Sequence, residues 1–250
     1  MDYQVLIAEF PVHPSATAYK KGTSIRQNAL AHVESNFTLR MDFKDFFPSF
    51  SNDGIRSFVG GASEKLDIAL SGEDIEFIVG IVTRDGALTV GAPSSPAITN
   101  AMMYQFDDLV FTAAKKRSLT YTRYADDLFI SSNSPNQLEG MFYEVRRASS
   151  KNPHTNLRIN ETKTVYLSRK YRRTITGLIV TPDKTISIGR QRKREIKALV
   201  HRYIQGELSP DQLDRARGLV AFAKDADPKF FKSLRNKYGQ KTIIDFLAQQ

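Results

Sequence analysis

Two adjacent aspartates stand between two short stretches that are typical of strands in the segment YTRYADDLFIS, residues 121–131. The stretches SLTYTRY and LFISS predict a β-hairpin whose turn is at ADD. Neighbouring carboxylates repel each other, so a turn that holds them close needs something to neutralise their charge. Aspartate is also a common turn residue, so an ordinary surface turn remains an open alternative for this pair alone.

A third aspartate lies on a predicted strand that is distant in sequence. FTLRMDF, residues 37–43, alternates apolar and polar residues, which is the period of a half-buried strand with Arg40 and Asp42 on its polar face. From residue 37 to about 168 the predicted order is strand, helices, strand pair, helix and strand, which is the split β-α-β-β-α-β pattern. That pattern makes the first strand a neighbour of the hairpin, so we expect Asp42, Asp126 and Asp127 to meet at one edge of an antiparallel sheet.

Such a cluster of carboxylates predicts bound magnesium, because Mg²⁺ prefers hard oxygen ligands and is usually held by carboxylates together with substrate phosphates. Two ions about 4 Å apart can activate a hydroxyl and stabilise the leaving oxygen of an in-line displacement at phosphorus. The predicted chemistry is therefore phosphoryl or nucleotidyl transfer.

Periodicity and turn residues predict the remaining elements. The predictions are a helix over EDIEFIVGIVTR (73–84), a strand around ALTV, one helix from Ser95 to about Lys116, a helix over SPNQLEGMFYEVRRASS opened by Ser134 and Pro135, a strand over NLRINETKTVYLS, and a hairpin of RTITGLIV with TISIG. After Gly189 the chain is expected to be wholly helical, with breaks near Gly206 to Pro210, Ala226 to Pro228 and Gly239. A domain boundary is predicted near residue 188.

Composition excludes several classes of protein. The 250 residues are 41% hydrophobic and 25% charged, as in an ordinary soluble globular protein. The sequence has no cysteine, which excludes a disulfide framework and a thiolate metal site and fits a cytoplasmic protein. The N-terminus lacks a basic leader, and apolar windows such as IEFIVGIV are too short to span a bilayer, so we expect no signal peptide and no membrane partner.

Positive charge is concentrated in one segment. The net charge is +9, and residues 163–202 contain twelve Lys or Arg against two acids, Asp183 and Glu195. A patch of this kind suits a polyphosphate backbone. A solvated surface, or a patch for an acidic membrane or protein, is the alternative.

Three motifs, MDFKDFFPSF, GAPSSPAITN and YTRYADDLFIS, resemble in order and spacing the central palm motifs of reverse transcriptases. NALAH (28–32) resembles the retron pattern N-A-x-x-H, and ITG (175–177) resembles the retron element V-T-G. The resemblance covers nearly the whole chain. It implies an α+β right-hand polymerase fold: partial fingers and a retron-specific region over residues 1–35, a ferredoxin-like β-α-β-β-α-β palm with the primer-grip hairpin over 36–188, and a helical thumb over 189–250.

The resemblance also implies catalytic roles. Asp42 and Asp126 would bind both Mg²⁺ ions, Asp127 would complete the cluster, and Phe43 would be a further metal contact. Lys163 would lie by the triphosphate and protonate the departing pyrophosphate, although a plain surface lysine is the alternative.

For the nucleotide, the resemblance assigns Phe47, five residues after Asp42, as a steric gate against the 2′-hydroxyl. Core packing of Phe47 is the alternative. Gly91, Ala92 and Pro93 would form a loop whose small residues approach the nucleotide and template closely.

For nucleic acid, the resemblance implies a primer grip at RTITGLIV, including Thr176 and Gly177. Asn28 and His32 would contact a structured RNA, with a satisfied buried histidine and a turn-capping asparagine as the alternatives. The residues expected on the duplex backbone are all basic: Arg190, Arg192, Lys193, Arg194 and Lys197.

The sequence departs from the family pattern in two places. Val90 stands where many reverse transcriptases carry Gln before the Gly-Ala-Pro loop, which implies different base-pair sensing. Nothing before PVHPSATAYKKG matches the basic finger segment of retron enzymes, so we expect partial substitution by Lys20, Lys21 and Arg26, a fragment, or a partner that supplies this part.

The resulting hypothesis is a retron reverse transcriptase that copies a structured non-coding RNA with dNTPs into branched RNA-linked DNA, within an antiphage system that has an effector protein. One alternative is a group II intron or diversity-generating reverse transcriptase; the lack of a maturase or endonuclease extension after the thumb disfavours the intron type. A non-catalytic RNA-binding palm scaffold is the other, against which the three carboxylates argue.

Overall fold

The computed structural model describes residues 10–65 and 68–248 of the chain. In chain order its helices are α1 (Ile25–Ala31), α2 (Asn52–Lys65), α3 (Gly72–Val82), α4 (Ser95–Met102), α5 (Tyr104–Lys115), α6 (Met141–Lys151), α7 (Arg190–Ile204), α8 (Pro210–Ala226), α9 (Pro228–Tyr238) and α10 (Gln240–Ala248). Its strands are β1 (Phe37–Lys44), β2 (Thr83–Arg84), β3 (Ala87–Leu88), β4 (Thr120–Tyr124), β5 (Asp127–Ser132), β6 (Arg158–Ile159), β7 (Val165–Ser168), β8 (Arg173–Ile175), β9 (Leu178–Val180) and β10 (Ile186–Ser187). The chain divides into two compact units, Met1–Ser24 with Ser35–Ser168, and Ile25–Glu34 with Arg169–Gln250.

The first unit is built on an antiparallel sheet in which β1 is central. β5 pairs with β1 from Phe37 opposite Ser132 to Asp42 opposite Asp127, and β4 pairs with the other edge of β5. β6 and β7 both pair with the remaining edge of β1. This is the strand order of the predicted split β-α-β-β-α-β pattern, so the predicted α+β fold is confirmed.

The alternating pattern of β1 explains why the sheet forms. Leu39, Met41 and Phe43 are buried in one core cluster with Phe106 of α5 and Val145 of α6. The polar residues between them fall on the opposite face of the strand. Burial of the apolar face therefore fixes the register, because a shift by one residue would turn every apolar side chain out of the core.

The predicted helix bounds need two corrections. Residues 95–115 form two helices that meet at Met103 rather than one. Met102, Met103 and Phe106 are all buried, so the apolar spacing continues across the bend and cannot reveal it. Helix α6 begins at Met141 and not at Ser134, because the proline after Ser134 opens a separate 3₁₀ turn.

Two hairpins were missed by the sequence prediction. The end of the helix predicted over residues 73–84 is instead strand β2, which turns through Asp85 and Gly86 into β3. RTITGLIV is two strands, β8 and β9, that turn through Thr176 and Gly177. All four turn residues have positive φ, as tight two-residue hairpin turns require.

The second unit combines α1 and a small sheet, β10-β9-β8, with the C-terminal helices. The helix breaks lie where Gly and Pro predicted them: Pro210 and Pro228 begin helices α8 and α9, and Gly239, with φ of +90°, ends α9. The three functional divisions of the chain (1–35, 36–188 and 189–250) remain a prediction, since the compact units follow spatial contacts. Among the helices described, none has both the length and the apolar character to cross a membrane.

Gly54 marks a close approach of α2 to the loop before β6. A Cβ atom at this position would overlap the backbone carbonyl of His154. We expect Gly54→Ala to lower the free energy of unfolding by about 1–3 kcal/mol, because backbone must move to admit the methyl group. Urea denaturation with Gly61→Ala as the control measures this: a Cβ at Gly61 on the same helix meets no atom within 4 Å. Equal effects of the two substitutions would contradict the packing described.

Candidate active site

The three predicted carboxylates lie where β1 and β5 pair. Asp42 on β1 is the direct cross-strand partner of Asp127, the first residue of β5. Asp126 precedes it in the turn from β4, next to Ala125, whose φ is +56°. Asp42 is buried, with 7% of its side chain exposed, whereas 23% of the Asp127 side chain is exposed. The antiparallel register brings together aspartates that are far apart in the sequence.

Two basic side chains form ion pairs with two of these three carboxylates. Arg40 Nε and Nη2 each lie 3.1 Å from Asp127 Oδ1. Lys163 Nζ lies 3.2 Å and 3.4 Å from the two carboxylate oxygens of Asp42. Arg40 was expected on the same face as Asp42 but was assigned no role, whereas Lys163 was predicted at the site.

A 3₁₀ turn between two strands explains the position of Lys163. The strand predicted over residues 156–168 is divided into β6 and β7 by the 3₁₀ turn Glu161–Lys163. The N–H of Asn160, just before this turn, donates to the backbone carbonyl of Asp42 at 2.8 Å. The turn is therefore attached beside Asp42, which places the lysine within reach of its carboxylate.

The carboxylates are electrostatically costly in this position. Burial raises the pKa of Asp126 above its ordinary value, and the negative charge of Asp42 raises it further. Burial also raises the pKa of Asp127, while the charge and hydrogen bond of Arg40 oppose that rise. Because burial and like charges both disfavour the ionised forms, additional positive charge would stabilise them.

The residues present fit a divalent metal in type and in backbone placement. Within residues 10–65 and 68–248, no three acidic or histidine side chains already converge closely enough to hold a metal ion. Lys163 engages both oxygens of Asp42, and Arg40 engages Asp127. A bound ion would take over the charge that these two cations supply, and carboxylate oxygens are the ligands that Mg²⁺ and similar hard ions prefer.

A buried ion pair that was not predicted from the sequence contacts the backbone of the turn that carries Asp126. Arg123 on β4 and Asp107 on α5 are both fully buried, with Nη2 2.7 Å from Oδ2 and Nε 2.9 Å from Oδ1. The hydroxyl of Tyr121 donates to Asp107 Oδ1 at 2.7 Å, and Arg123 Nη1 donates to Asn100 Oδ1 at 3.1 Å. Arg123 Nη1 also donates to the carbonyl of Ala125 at 3.1 Å, which holds the residue that precedes Asp126.

The sequence contained a signal for this pair. Asp107 follows the apolar Phe106 on the helix predicted from Ser95 to about Lys116, and Arg123 lies two residues from Tyr121, on the same face of β4. A charged residue in a core-facing pattern normally requires a buried partner of opposite charge. A search of the predicted core-facing positions for charged residues would have identified Asp107 and Arg123 as a candidate pair.

Phe43 and Phe47 differ in exposure. The ring of Phe43 is buried and stacks on Phe46 with centroids 5.6 Å apart, so a metal contact from Phe43 would have to come from its backbone. Phe47 is half-buried at the start of a 3₁₀ turn, and its ring meets the ring of Phe46 edge-on at 5.4 Å. A half-exposed ring is compatible with the sugar gate and with core packing.

The predicted nucleotide loop, Gly91 to Pro93, forms a turn ahead of α4. Gly91 has φ of +86°, a conformation that favours glycine, and the hydroxyl of Ser95 donates to the carbonyl of Thr89 at 2.8 Å across the loop. In the part of the chain that the structure describes, none of the three loop residues hydrogen-bonds to the three aspartates. Their role towards the nucleotide stays a prediction.

Asn28 and His32 are fully buried in the second unit. Burial lowers the pKa of His32 to about 3, and the positive charge of Arg173 contributes to the lowering. This burial favours the alternative in which both side chains pack within the fold. Direct contact with RNA stays a prediction.

The lowered pKa of His32 predicts a pH-dependent stability. Below the unfolded-state pKa of 6.5 the unfolded chain gains a proton at His32 that the folded chain does not bind until about pH 3, so stability is lost as the pH falls through this window. We expect the protonation of His32 in the unfolded chain to lower the free energy of unfolding by about 2 kcal/mol between pH 7 and pH 5. Urea denaturation at both pH values should show that His32→Gln removes this loss, while His201→Gln, at an exposed position, retains it. An unchanged pH dependence in His32→Gln would contradict the assignment.

The predicted primer-grip residues, Thr176 and Gly177, form the β8–β9 turn. The hydroxyl of Thr176 donates to the carbonyl of Ile25 at 3.0 Å, which ties the turn to the start of α1. Gly177 is exposed, with φ of +78°. The turn is thus anchored through one residue and open to solvent at the other.

The predicted backbone-binding residues divide into two groups. Arg190, Arg192 and Arg194 line a groove of about 810 Å³ in the second unit, called the arginine groove below, together with the primer-grip residue Gly177 and with Arg172, to which no role was assigned from the sequence.

Lys193 and Lys197 are placed differently. Lys193 Nζ lies 2.8 Å from Oδ2 of the buried Asp227, so its charge is already neutralised. Lys197 is exposed, with Nζ 5.8 Å from the centre of the Phe230 ring. We expect the arginine groove to contribute more to nucleic-acid binding than Lys193.

Comparison with known proteins assigns the family. The family profile described as "Reverse transcriptase (RNA-dependent DNA polymerase)" matches residues 80–201. The retron Ec83 reverse transcriptase of Escherichia coli is 35% identical over 246 residues, which cover 96% of this chain and 78% of that protein. The chain belongs to the retron reverse transcriptases. The retron Ec73 reverse transcriptase of Escherichia coli is also similar, at 30% identity over 94% of this chain and 77% of that protein.

Membership of the retron reverse transcriptases confirms the predicted RNA-directed DNA polymerase class and its nucleic-acid partners. It disfavours the intron, diversity-generating and scaffold alternatives. Reverse transcriptases generally use divalent metal ions. Among solved structures, telomerase from Candida Tropicalis in complex with the TWJ fragment of telomeric RNA has a TM-score of 0.50 at 10% identity, covering 85% of this chain and 42% of that one. The chain thus spans less than half of that telomerase, and the likeness supports the right-hand polymerase fold alone.

Proposed function

We propose that this retron reverse transcriptase copies a structured non-coding RNA into single-stranded DNA that remains joined to the RNA through a guanosine 2′-hydroxyl. Each step joins a hydroxyl oxygen of the growing end to the α-phosphorus of a dNTP and releases pyrophosphate. The pairing of Asp42 with Asp127 beside Asp126 is the observation that carries the proposal. Such a carboxylate edge suits in-line displacement at phosphorus better than it suits a structural turn.

The metal-binding part of the proposal assigns two Mg²⁺ ions to the carboxylate edge. Asp42 and Asp126 would hold both ions, with Asp127 and the backbone of Phe43 as further contacts. When bound, the ions would lower the pKa of the attacking hydroxyl and stabilise the leaving oxygen. The present partners of the carboxylates, Arg40 and Lys163, would then be displaced from them.

Lys163 is proposed as the general acid of the reaction. Its ammonium group lies 3.2 Å from Asp42 Oδ1, so it is already beside the carboxylate edge. Once released from Asp42, it would donate a proton to the oxygen of the departing pyrophosphate. Proton donation of this kind typically accelerates a reaction by about 10²–10⁴-fold.

Selection of the nucleotide is assigned to Phe47 and the Gly91–Pro93 loop. The half-buried ring of Phe47 would pack under the sugar and leave no room for a 2′-hydroxyl. Small residues in the loop would let the backbone approach the base pair closely.

Binding of nucleic acid is assigned to the second unit. The turn at Thr176 and Gly177 would grip the primer end, and the arginine groove would bind backbone phosphates without reading sequence. Asn28 and His32 would act on the RNA indirectly, through the packing of α1. An antiphage role with an effector protein completes the proposal.

Purification of the enzyme with its bound nucleic acid tests this function. We expect an RNA-linked DNA whose DNA part survives RNase and whose branch is cleaved by debranching enzyme. The Asp42→Asn variant is the matched control, and it should retain the RNA and lack the DNA. Spliced intron RNA, or RNA alone with the parent enzyme, would contradict the proposal.

A further inference from the structure

Two positively charged side chains stand opposite each other at the end of β1. Lys44 on β1 and Arg158 on β6 are direct cross-strand partners, and both are exposed. Cross-strand partners lie on the same face of a sheet, and like charges there destabilise the pairing. Within the described part of the chain, neither side chain forms an ion pair. A bound anion that contacts both would remove this unfavourable interaction.

A groove of about 340 Å³ opens beside this pair. Its polar lining is Lys44, Arg158, Ser49, Ser51, Asn156 and Asp45. Cationic side chains, hydroxyls and amides are the groups that bind phosphate oxygens in proteins. Asp45 offsets only one of the two positive charges, so the lining keeps an excess of positive charge.

The position of the groove indicates which phosphate it takes. Lys44 follows Asp42 by two residues on β1, so both side chains belong to the same face of the strand. We propose that the groove binds the polyphosphate of the reaction, namely the triphosphate of the incoming nucleotide and the pyrophosphate released from it. This inference rests on the proposed function. The groove would supply positive charge that retron enzymes are expected to carry on a basic finger segment.

Kinetics of Lys44→Gln and Arg158→Gln test the proposal. Loss of a charged hydrogen-bond partner should raise the KM for dNTP by about tenfold and weaken inhibition by pyrophosphate by a similar factor, with kcat within about twofold. Both variants should melt at or above the temperature of the parent, because the repulsion is gone. Lys116→Gln, an exposed site outside the groove with the same charge change, should match the parent.

Binding measurements separate this proposal from the proposed function. Calorimetry with pyrophosphate and the whole chain, without nucleic acid, should show about tenfold weaker binding in each groove variant. If the parent binds pyrophosphate in this way but incorporates no nucleotide, the groove assignment holds and the proposed function fails. An unchanged KM and unchanged pyrophosphate binding would overturn the groove assignment. A loss confined to RNA affinity, with a shallower salt dependence, would also overturn it and assign the groove to an RNA backbone.

Discussion

Replacing Asp126 with asparagine should reduce nucleotide incorporation by at least about a thousandfold. Asparagine keeps the size of the side chain and removes the negative charge at the turn between β4 and β5. Metal ions contribute several kcal/mol of transition-state stabilisation, and each 1.36 kcal/mol corresponds to a factor of ten in rate. Single-turnover incorporation of dNTP on a primed RNA template measures the change.

The control for this experiment is Asp85→Asn. Asp85 is an exposed aspartate in the β2–β3 turn, where positive φ is tolerated by asparagine. We expect Asp85→Asn to retain incorporation and Asp126→Asn to retain the stability of the parent, since burial raises the pKa of Asp126 and disfavours its charge. Retained incorporation in Asp126→Asn would refute the catalytic assignment.

The second large effect is expected on stability, at the buried pair of Arg123 and Asp107. Both side chains are fully buried, so Asp107→Asn leaves the guanidinium charge without its counter-ion. Breaking a buried pair in this way typically costs about 3–5 kcal/mol. Native domains are stable by only about 5–15 kcal/mol, so the variant should unfold at a much lower urea concentration than the parent.

Two further variants serve as controls for the Asp107→Asn variant. Asp108→Asn changes the neighbouring residue, whose side chain is 60% exposed, and should leave stability nearly unchanged. The double variant Asp107→Leu with Arg123→Met should recover much of the lost stability, because no unpaired charge remains buried. Its incorporation rate should nevertheless stay low, since Arg123 no longer donates to the carbonyl of Ala125. Full activity in the double variant would show that this contact is not needed to position the turn.

Local patterns in the sequence were enough to predict the centre of the fold. The alternation of FTLRMDF predicted β1 and the face that carries Asp42, and the two strand-forming stretches around ADD predicted the hairpin. The Gly and Pro residues after Gly189 gave the helix breaks. These features depend on neighbouring residues alone, which is why one sequence suffices to find them.

The features that the sequence did not predict depend on contacts between distant residues or on short turns. Asp85-Gly86 is among the strongest short-range hairpin signals, whereas Thr176-Gly177 is not a favoured hairpin pair, because a β-branched residue such as Thr176 rarely adopts positive φ. The bend at Met103 is invisible to periodicity because buried residues continue across it. The partners of Lys163 and Lys193 come from other elements of the chain, so only the three-dimensional structure identifies them.

The carboxylate edge can be tested most directly by diffraction at the manganese absorption edge, from crystals of the enzyme with primer, template, a non-hydrolysable dNTP analogue and Mn²⁺. We expect two anomalous peaks beside Asp42 and Asp126, with the side chains of Arg40 and Lys163 moved off the carboxylates. A primer end and nucleotide bound in place without an anomalous peak at these aspartates would contradict the proposed metal site.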